Sequence, residues 1–449
     1  MIKPQTSSLA YTRRVNALKS QTVARARLSR SDSISEVLAV CPQVSLLSCE
    51  VSSGRVNYSG KIIFTLLCCD DEGKLCRIQK GAEFSHYCDD ENLAPAQSAQ
   101  CALSCERVAV RRDGSAVSLS AVVRADIEVF APAERTVVTS CEGAYLKTAP
   151  LAFLSHMTFS GECEVEDDFE ADGVEDILVP SASVMVTYAE CTAGGVEAGG
   201  EIILSLLAMR KGYPAGLERV IPFKCAIPCD EAVAGPLPQV RAEVRDMNVN
   251  ATVDDEHGKC RITFTCTAAL FGYFAQTVEQ TVATDAFSCT HSLICTGECE
   301  PGEVICERKL CTERVSSPAA TKAALDFTCR FLAVVLPAAE YEYSPESGSA
   351  EGSVNAVLLY EQGGEIKSAE ISIPFSVRLP APGACRADLS VCGVSVKQPT
   401  EGRIEGEAII KICAVYSRSG EVSYLSAIAE GEPLPPEDAA ITVVVPAAG

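Results

Sequence analysis

A segment that opens with glycine and ends with phenylalanine occurs three times in this chain, and it constrains the fold more than any other feature. The copies span residues 60–84, 200–223 and 352–375. Each copy has an apolar run, a polar turn and a second run, which is the pattern of a β-hairpin. In the first copy, apolar residues of both parities fill positions 62–69, so both faces of that strand are predicted to be buried.

A second landmark recurs at a similar interval. Gly114, Gly258 and Gly402 each lie in a polar turn between two apolar runs. The intervals of about 140 to 150 residues match a whole domain and are too long for a solenoid unit. We therefore predict an all-β fold with minor α content, built from three tandem antiparallel β-sandwich-like domains.

The predicted boundaries follow from these landmarks. They comprise a basic N-terminal arm at 1–30, β domains at 31–150, 157–300 and 303–436, and a tail at 437–449. Two short helical turns are expected, at 33–38, which has capping-box spacing, and at 174–178, which parallels it. The Cys-Glu-Pro-Gly stretch at 299–302 is expected to link the second and third domains.

Charge is distributed unevenly along the chain. The formal net charge is −22, yet the first thirty residues contain basic side chains and no acids: Lys3, Arg13, Arg14, Lys19, Arg25, Arg27 and Arg30. An acidic body disfavours binding to nucleic acid. We expect this arm to form a helix around 9–28, or an extended segment laid against a later domain. It could dock on an acidic partner or on the acidic body of its own chain.

The lack of a recognisable targeting signal and the number of cysteines bear on the cellular compartment. No apolar run of signal-peptide or transmembrane length is present, so we expect a cytosolic protein without a transmembrane segment. The 24 cysteines are then expected to remain mostly thiols. Cys260, Cys266 and Cys413 occupy apolar strand patterns and are expected to act as small core residues. An exported adhesive protein stapled by disulfides is the alternative.

No recognisable catalytic or cofactor-binding motif occurs, so we predict that the chain is not an enzyme and uses no cofactor. His257 is expected in a solvated turn, and the acidic runs at 164–168 and 254–256 in solvated loops. The region 289–311 is rich in thiols, and its candidate metal ligands are Cys289, His291, Cys295 and Cys299. A thiol-rich metal-binding or redox protein is therefore the alternative function.

The repeated pattern resembles the SPOCS domains of clostridial spore-envelope morphogenesis proteins. The resemblance covers about residues 31–436 and lies in these features: Ile34 to Leu38, Val174 to Leu178, Gly60, Gly200, Gly352, and Ile-Pro-Phe at 221–223 and 373–375. It implies a non-enzymatic adaptor in the mother-cell cytosol at the forespore surface. It also implies docking to other morphogenetic proteins, among them a SpoIVA-like coat ATPase scaffold.

The C-terminal tail carries a second resemblance. In SipL-like members of that family a LysM domain follows the tandem repeats, and residues 441–446 resemble the opening strand of such a domain. We expect either that the chain is truncated before this module or that the module has been lost. The sequence predicts no oligomeric state.

Overall fold

The computed structural model describes residues 2–28, 34–113, 116–254, 259–325, 328–397 and 404–433. Regular secondary structure in this part of the chain consists of β-strands, which confirms the all-β prediction. The described residues contain no helix, so the expected minor α content is not found there. The turns around Gly114, Gly258 and Gly402, His257 and the tail at 437–449 lie outside the described residues.

The three repeats contribute corresponding series of strands, and the third has one additional short strand, β14 (Ala320–Thr321). The first contains β1 (Lys3–Leu28), β2 (Glu36–Ser52), β3 (Arg55–Cys69), β4 (Leu75–Asp89), β5 (Ser98–Asp113) and β6 (Ala116–Glu142). The second contains β7 (Tyr145–Asp172), β8 (Val174–Thr192), β9 (Gly195–Arg210), β10 (Tyr213–Pro228), β11 (Gln239–Asp254) and β12 (Lys259–Phe287). The third contains β13 (His291–Pro318), β14 (Ala320–Thr321), β15 (Arg330–Ser344), β16 (Ser349–Gln362), β17 (Glu365–Arg378), β18 (Ala384–Val396) and β19 (Glu405–Pro433).

Every repeat forms two antiparallel sheets. One is a meander, with orders β2-β3-β4, β10-β9-β8 and β14-β17-β16-β15. The other places the last strand between the first strand and the one before the last, with orders β1-β6-β5, β11-β12-β7 and β13-β19-β18. A separate apolar core lies between the two sheets of each repeat. The repeats are therefore sandwiches of one topology.

The repeated glycine and phenylalanine are direct cross-strand partners in all three meanders. Gly60 pairs with Phe84, Gly200 with Phe223 and Gly352 with Phe375. A Cβ atom on Gly200 or Gly352 would overlap a carbonyl oxygen of the neighbouring strand, that of Met185 or Glu340 respectively. Glycine recurs at this position because the backbones approach too closely for a side chain.

Several expectations about local structure are wrong. The helix expected as one form of the basic arm is absent: the arm is extended, which was the other form expected, and as strand β1 it pairs along its length with β6 of the first repeat. The expected helical turns are absent: 36–38 and 174–178 belong to strands β2 and β8. The expected linker at 299–302 lies inside β13, which pairs with β19 throughout that stretch. The acidic run at 164–168 is part of strand β7 and is not a loop.

The three meanders meet in a shared apolar cluster, which we call the hub. Its centre holds Leu67, Leu207 and Leu359, which lie the same distance after the repeated glycine in each copy and are at most 2% exposed. Their cross-strand partners, Ala39, Val179 and Ala333, belong to the same cluster. In the first copy Ile62, Phe64 and Leu66 face their own sandwich while Leu67 faces the hub, so both faces are buried as predicted.

The repeats form a closed ring with pseudo-threefold symmetry. β4 contacts β8, β10 contacts β15, and β17 returns to contact β2. The long strands extend beyond their sandwiches as three two-stranded ribbons, which we call the stem. The stem pairs 3–13 with 131–142, 145–157 with 274–287 and 291–305 with 417–433. Its interior contains Val137, Val282 and Tyr424 at equivalent positions.

Candidate interaction surfaces

The proximal part of the basic arm binds the acidic body of its own chain. Arg13 Nη1 lies 3.6 Å from Glu300 Oε1, and Arg135 Nε lies 3.2 Å from Glu300 Oε2. Arg14 Nη2 lies 3.4 Å from Glu303 Oε2 and Nη1 lies 3.5 Å from Glu128 Oε1. The contacts with Glu300 and Glu303 link the first repeat to the third across the stem, so this half of the arm is structural.

The distal half of the arm is exposed and, together with strand β5, forms what we call the basic face. It consists of the outward side chains Lys19, Arg25, Arg27, Arg107 and Arg111 on the β1-β6-β5 sheet. Strand alternation places them there, because Ala24 and Leu28 turn into the core. Among the residues that the structure describes, none of these five side chains forms an ion pair. The face is therefore positively charged on an acidic protein.

Cross-strand register organises this face into rows. Arg27 and Arg111 flank Ser118, and Arg25 lies opposite Ser120. The guanidinium of Arg124 shares the face with two acids, because its Nη2 lies 2.8 Å from Asp126 Oδ1 and its Nη1 lies 3.9 Å from Glu106 Oε1. Glu106 also accepts a hydrogen bond from Gln21 Nε2, so this cluster adds no positive charge to the face. Guanidinium forks beside hydroxyl groups suit the recognition of carboxylates or other oxyanions.

The equivalent sheet of the second repeat carries an acidic face. Its outward side chains on β7 are Glu162, Glu164, Glu166, Asp168 and Glu170. Three of these acids are paired: Glu162 with Arg245, Asp168 with Arg261 and Glu170 with Lys259. The Arg261 guanidinium hydrogen-bonded to Asp168 lowers the pKa of that carboxyl. Glu164 and Glu166 form no ion pair within the described part of the chain.

Two clefts lie between repeats. The cleft between the second and third repeats has a volume of about 390 Å³, and Glu218 is the titratable group among its described lining residues. Burial raises the pKa of the Glu218 carboxyl. A second cleft, between the first and second repeats, has a volume of about 770 Å³ and is lined by Cys49, Cys101, Asp230, Glu231 and Arg245 among others. Among the described residues that line these two clefts there is no histidine that could activate a nucleophile.

The candidate metal ligands are spread along extended chain. Cys289 precedes β13, and His291, Cys295 and Cys299 lie on it. Eight residues of strand place His291 and Cys299 roughly 26 Å apart. His291 Nε2 instead lies 3.2 Å from Glu430 Oε1. Among the described residues, no group of three or more His, Cys, Asp or Glu side chains lies close enough together to hold a metal ion.

Several cysteines act as core residues, as predicted from their strand pattern. Cys260, Cys266 and Cys413 are 0%, 4% and 0% exposed. Burial raises the pKa of all three thiols, that of Cys266 to about 11. A neutral thiol is a poor nucleophile and a poor metal ligand, so these positions contribute packing.

The sequence contained a signal for both charged faces that our sequence reasoning did not use. Arg25 and Arg27 alternate with alanines, and Glu162, Glu164 and Glu166 alternate with Cys163 and Val165. A period of two with charge on one parity indicates a strand with one solvent-exposed face. The partners of Glu300 carried no such signal, because they lie on strands far away in the sequence.

The comparisons with known proteins identify no relative. No protein-family model, curated protein or solved structure matches this chain. The described part of the chain contains no helix that could cross a lipid bilayer. Function must therefore be argued from the residues and the geometry.

Proposed function

We propose that this protein is a non-enzymatic structural adaptor of spore-envelope (coat) assembly, binding other morphogenetic proteins at the forespore surface. The observation that carries the proposal is the closed ring of three sandwiches around a common hub. In this ring the apolar surfaces of the three meanders pack against one another in the hub. The outer sheet faces are exposed and differ in charge. Rigid faces at set angles suit a protein that holds partners in a defined arrangement.

The resemblance of the repeats to SPOCS domains supports the spore-envelope setting. The three structural repeats contain the glycine-to-phenylalanine segments on which that resemblance rests. A SpoIVA-like coat ATPase scaffold in the mother-cell cytosol is the proposed partner.

The proposal is tested by following a fluorescent fusion of the full chain in a sporulating host. We expect the fusion to gather at the forespore surface, while the free fluorescent protein, the control, stays diffuse. Diffuse fluorescence of the fusion throughout sporulation would contradict the adaptor role in the spore envelope.

Elemental analysis of the purified protein separates the adaptor from the metal-binding alternative. We expect no stoichiometric metal, because β13 holds the candidate ligands apart. Bound metal that is lost in the Cys295→Ser/Cys299→Ser variant would favour the alternative. The matched control is Cys306→Ser, an exposed thiol on the same strand.

A further inference from the structure

We propose that the basic face of one copy binds the acidic face of a second copy, so that copies of this chain associate head to tail. The partner is thus another molecule of the same protein. The proposal rests on the charge pattern of the two faces, goes beyond the adaptor role and stands whether or not the protein belongs to the spore envelope.

The two faces occupy equivalent positions in two repeats of one topology. Arg25 and Arg27 on β1 lie opposite Ser120 and Ser118 on β6. Their counterparts on β7 are Glu166 and Asp168, which lie opposite Thr265 and Thr263 on β12. Backbone and hydroxyl partner are retained while the sign of the charge is reversed. Packing inside a sandwich does not require this reversal, because all of these side chains point outward.

The charged side chains of the basic face and those of the acidic face have the same spacing along their strands. Outward side chains on any strand are separated by about 6.7 Å, so Arg25 and Arg27 have the same spacing as Glu164 and Glu166. One register can therefore place two guanidinium groups against two carboxylates that lack an ion pair within the described part of the chain. The paired acids beside them, Asp168 and Glu170, add to the negative potential.

The third repeat does not offer an equivalent surface. At the corresponding part of its sheet, Arg314 Nη1 lies 3.0 Å from Glu407 Oε1, so that pair is neutralised within the chain. One basic and one acidic face on each molecule define a heterologous contact. A contact of this kind produces open chains or closed rings of copies and not a symmetric dimer that uses one patch twice.

The contact is expected to be weak and sensitive to salt. A face of about 30 Å by 15 Å buries roughly 900 Å² in total, which lies below the range of stable interfaces. Repulsion between two bodies of net charge −22 opposes association. At about 0.1 M salt the Debye length is about 10 Å, so distant acids are screened while directly facing charges still attract. Association should peak near this ionic strength and weaken by about tenfold at 0.5 M.

Sedimentation velocity of the full chain tests the proposal over a concentration series at 0.1 M and 0.5 M salt. We expect the weight-average sedimentation coefficient to rise with concentration at 0.1 M salt and to remain monomeric at 0.5 M. The reversed variants Arg25→Glu/Arg27→Glu and Glu164→Lys/Glu166→Lys should each associate at least about tenfold more weakly. The control Arg77→Glu/Lys80→Glu reverses two exposed charges on β4 and should associate like the parent chain.

Mixing the two reversed variants gives the decisive measurement. Each variant repels itself, but the acidic patch made in one faces the basic patch made in the other, so an equimolar mixture should recover association. Circular dichroism and thermal melting establish that both variants fold. A parent chain that stays monomeric at 0.1 M salt and millimolar concentration overturns the proposal, as does a mixture of folded variants that does not recover association.

Discussion

The hub and the stem both join all three repeats, but they do so with different chemistry. The hub repeats one apolar residue, leucine, at its three equivalent positions, and each leucine is at most 2% exposed. The stem departs from threefold identity. On the first strand of each ribbon, the cross-strand partner of Val137, Val282 or Tyr424 is followed two residues later by an equivalent position. That position holds Leu9, Leu151 and Glu300 in the three repeats.

The difference shows what each kind of contact demands. Apolar burial is non-directional, so three identical leucines can share one centre. A carboxylate at an interface needs partners, and Glu300 obtains them from Arg13 and Arg135 of the first repeat. The stem therefore distinguishes the third repeat from the others and fixes which repeats meet there, whereas the hub supplies apolar burial that is nearly the same in all three.

The largest effect is expected in the hub. Leu359→Ala should lower the free energy of unfolding by about 2–5 kcal/mol, because the cavity opens where three meanders meet and cannot collapse from one side. Denaturant unfolding measures the change. Leu310→Ala is the matched control, since Leu310 is 52% exposed. The Leu310→Ala substitution should change the free energy of unfolding by no more than about 0.5 kcal/mol. Equal costs for the two variants would show that the hub is not a true core.

An intermediate effect is expected in the stem. Glu300→Gln should cost about 1–2 kcal/mol, because Arg135 loses its carboxylate partner while both groups remain partly solvated. The double variant Glu300→Leu/Arg135→Gln installs the leucine and glutamine that the second repeat has at these positions, Leu151 and Gln280. We expect it to recover most of the loss.

A surface pair serves as the control for the stem experiment. Arg314→Gln breaks the Arg314–Glu407 contact, in which the arginine side chain is 70% exposed. This change should cost at most about 1 kcal/mol. If Glu300→Gln costs no more than Arg314→Gln, or if the double variant is less stable than either of its single variants, the assignment of Glu300 to a positioning role is wrong.

The smallest expected effect is on the pH dependence of stability, which should differ between the hub and the stem. Burial raises the pKa of the Cys41 thiol in the hub from 9.0 to about 11. Burial, with the neighbouring Glu300 carboxylate, raises the pKa of Tyr11 in the stem from 10.0 to about 12. In both cases the unfolded chain loses its proton first, so rising pH favours unfolding. The contribution of the Cys41 thiol to the free energy of unfolding should be lost between pH 9 and 11. The contribution of the Tyr11 hydroxyl should be lost between pH 10 and 12.

Thermal melting at pH 8 to 12 checks this ordering. Cys41→Ala should flatten the fall in melting temperature between pH 9 and 11, and Tyr11→Phe should flatten it between pH 10 and 12. The parent chain and Tyr145→Phe, which alters a tyrosine that is 63% exposed, are the controls. A Tyr11→Phe profile that is identical to that of Tyr145→Phe would contradict the stem assignment.

Much of the fold could be predicted because its signals are local. The glycine-to-phenylalanine segments form the expected antiparallel hairpins, and the apolar strands of the later hairpins pair as β5-β6, β11-β12 and β18-β19. The errors share one cause, which is that pairing with a distant strand overrides local propensity. The basic arm favours helix weakly, yet β6 supplies a partner along nearly its whole length.

The supposed linker at 299–302 illustrates the same point. Proline and glycine normally mark a loop. Here they lie on β13, an edge strand of its sheet, where a residue without an N–H group is tolerated. The charged faces were only partly predictable. Alternation places Arg25 and Glu166 on exposed sides, but the correspondence between the two faces emerges only when the registers of two repeats are compared.

The sequence by itself determined the number of repeats and the glycine-to-phenylalanine hairpin within each, because such a hairpin depends on neighbours close along the chain. Only the tertiary structure decided which side of the first repeated strand faces its own sandwich and which faces the hub. It also decided that Glu300 meets Arg13 and Arg135. These choices depend on closing the ring of repeats, and burial drives that closure without any local signal in the sequence to name the partners.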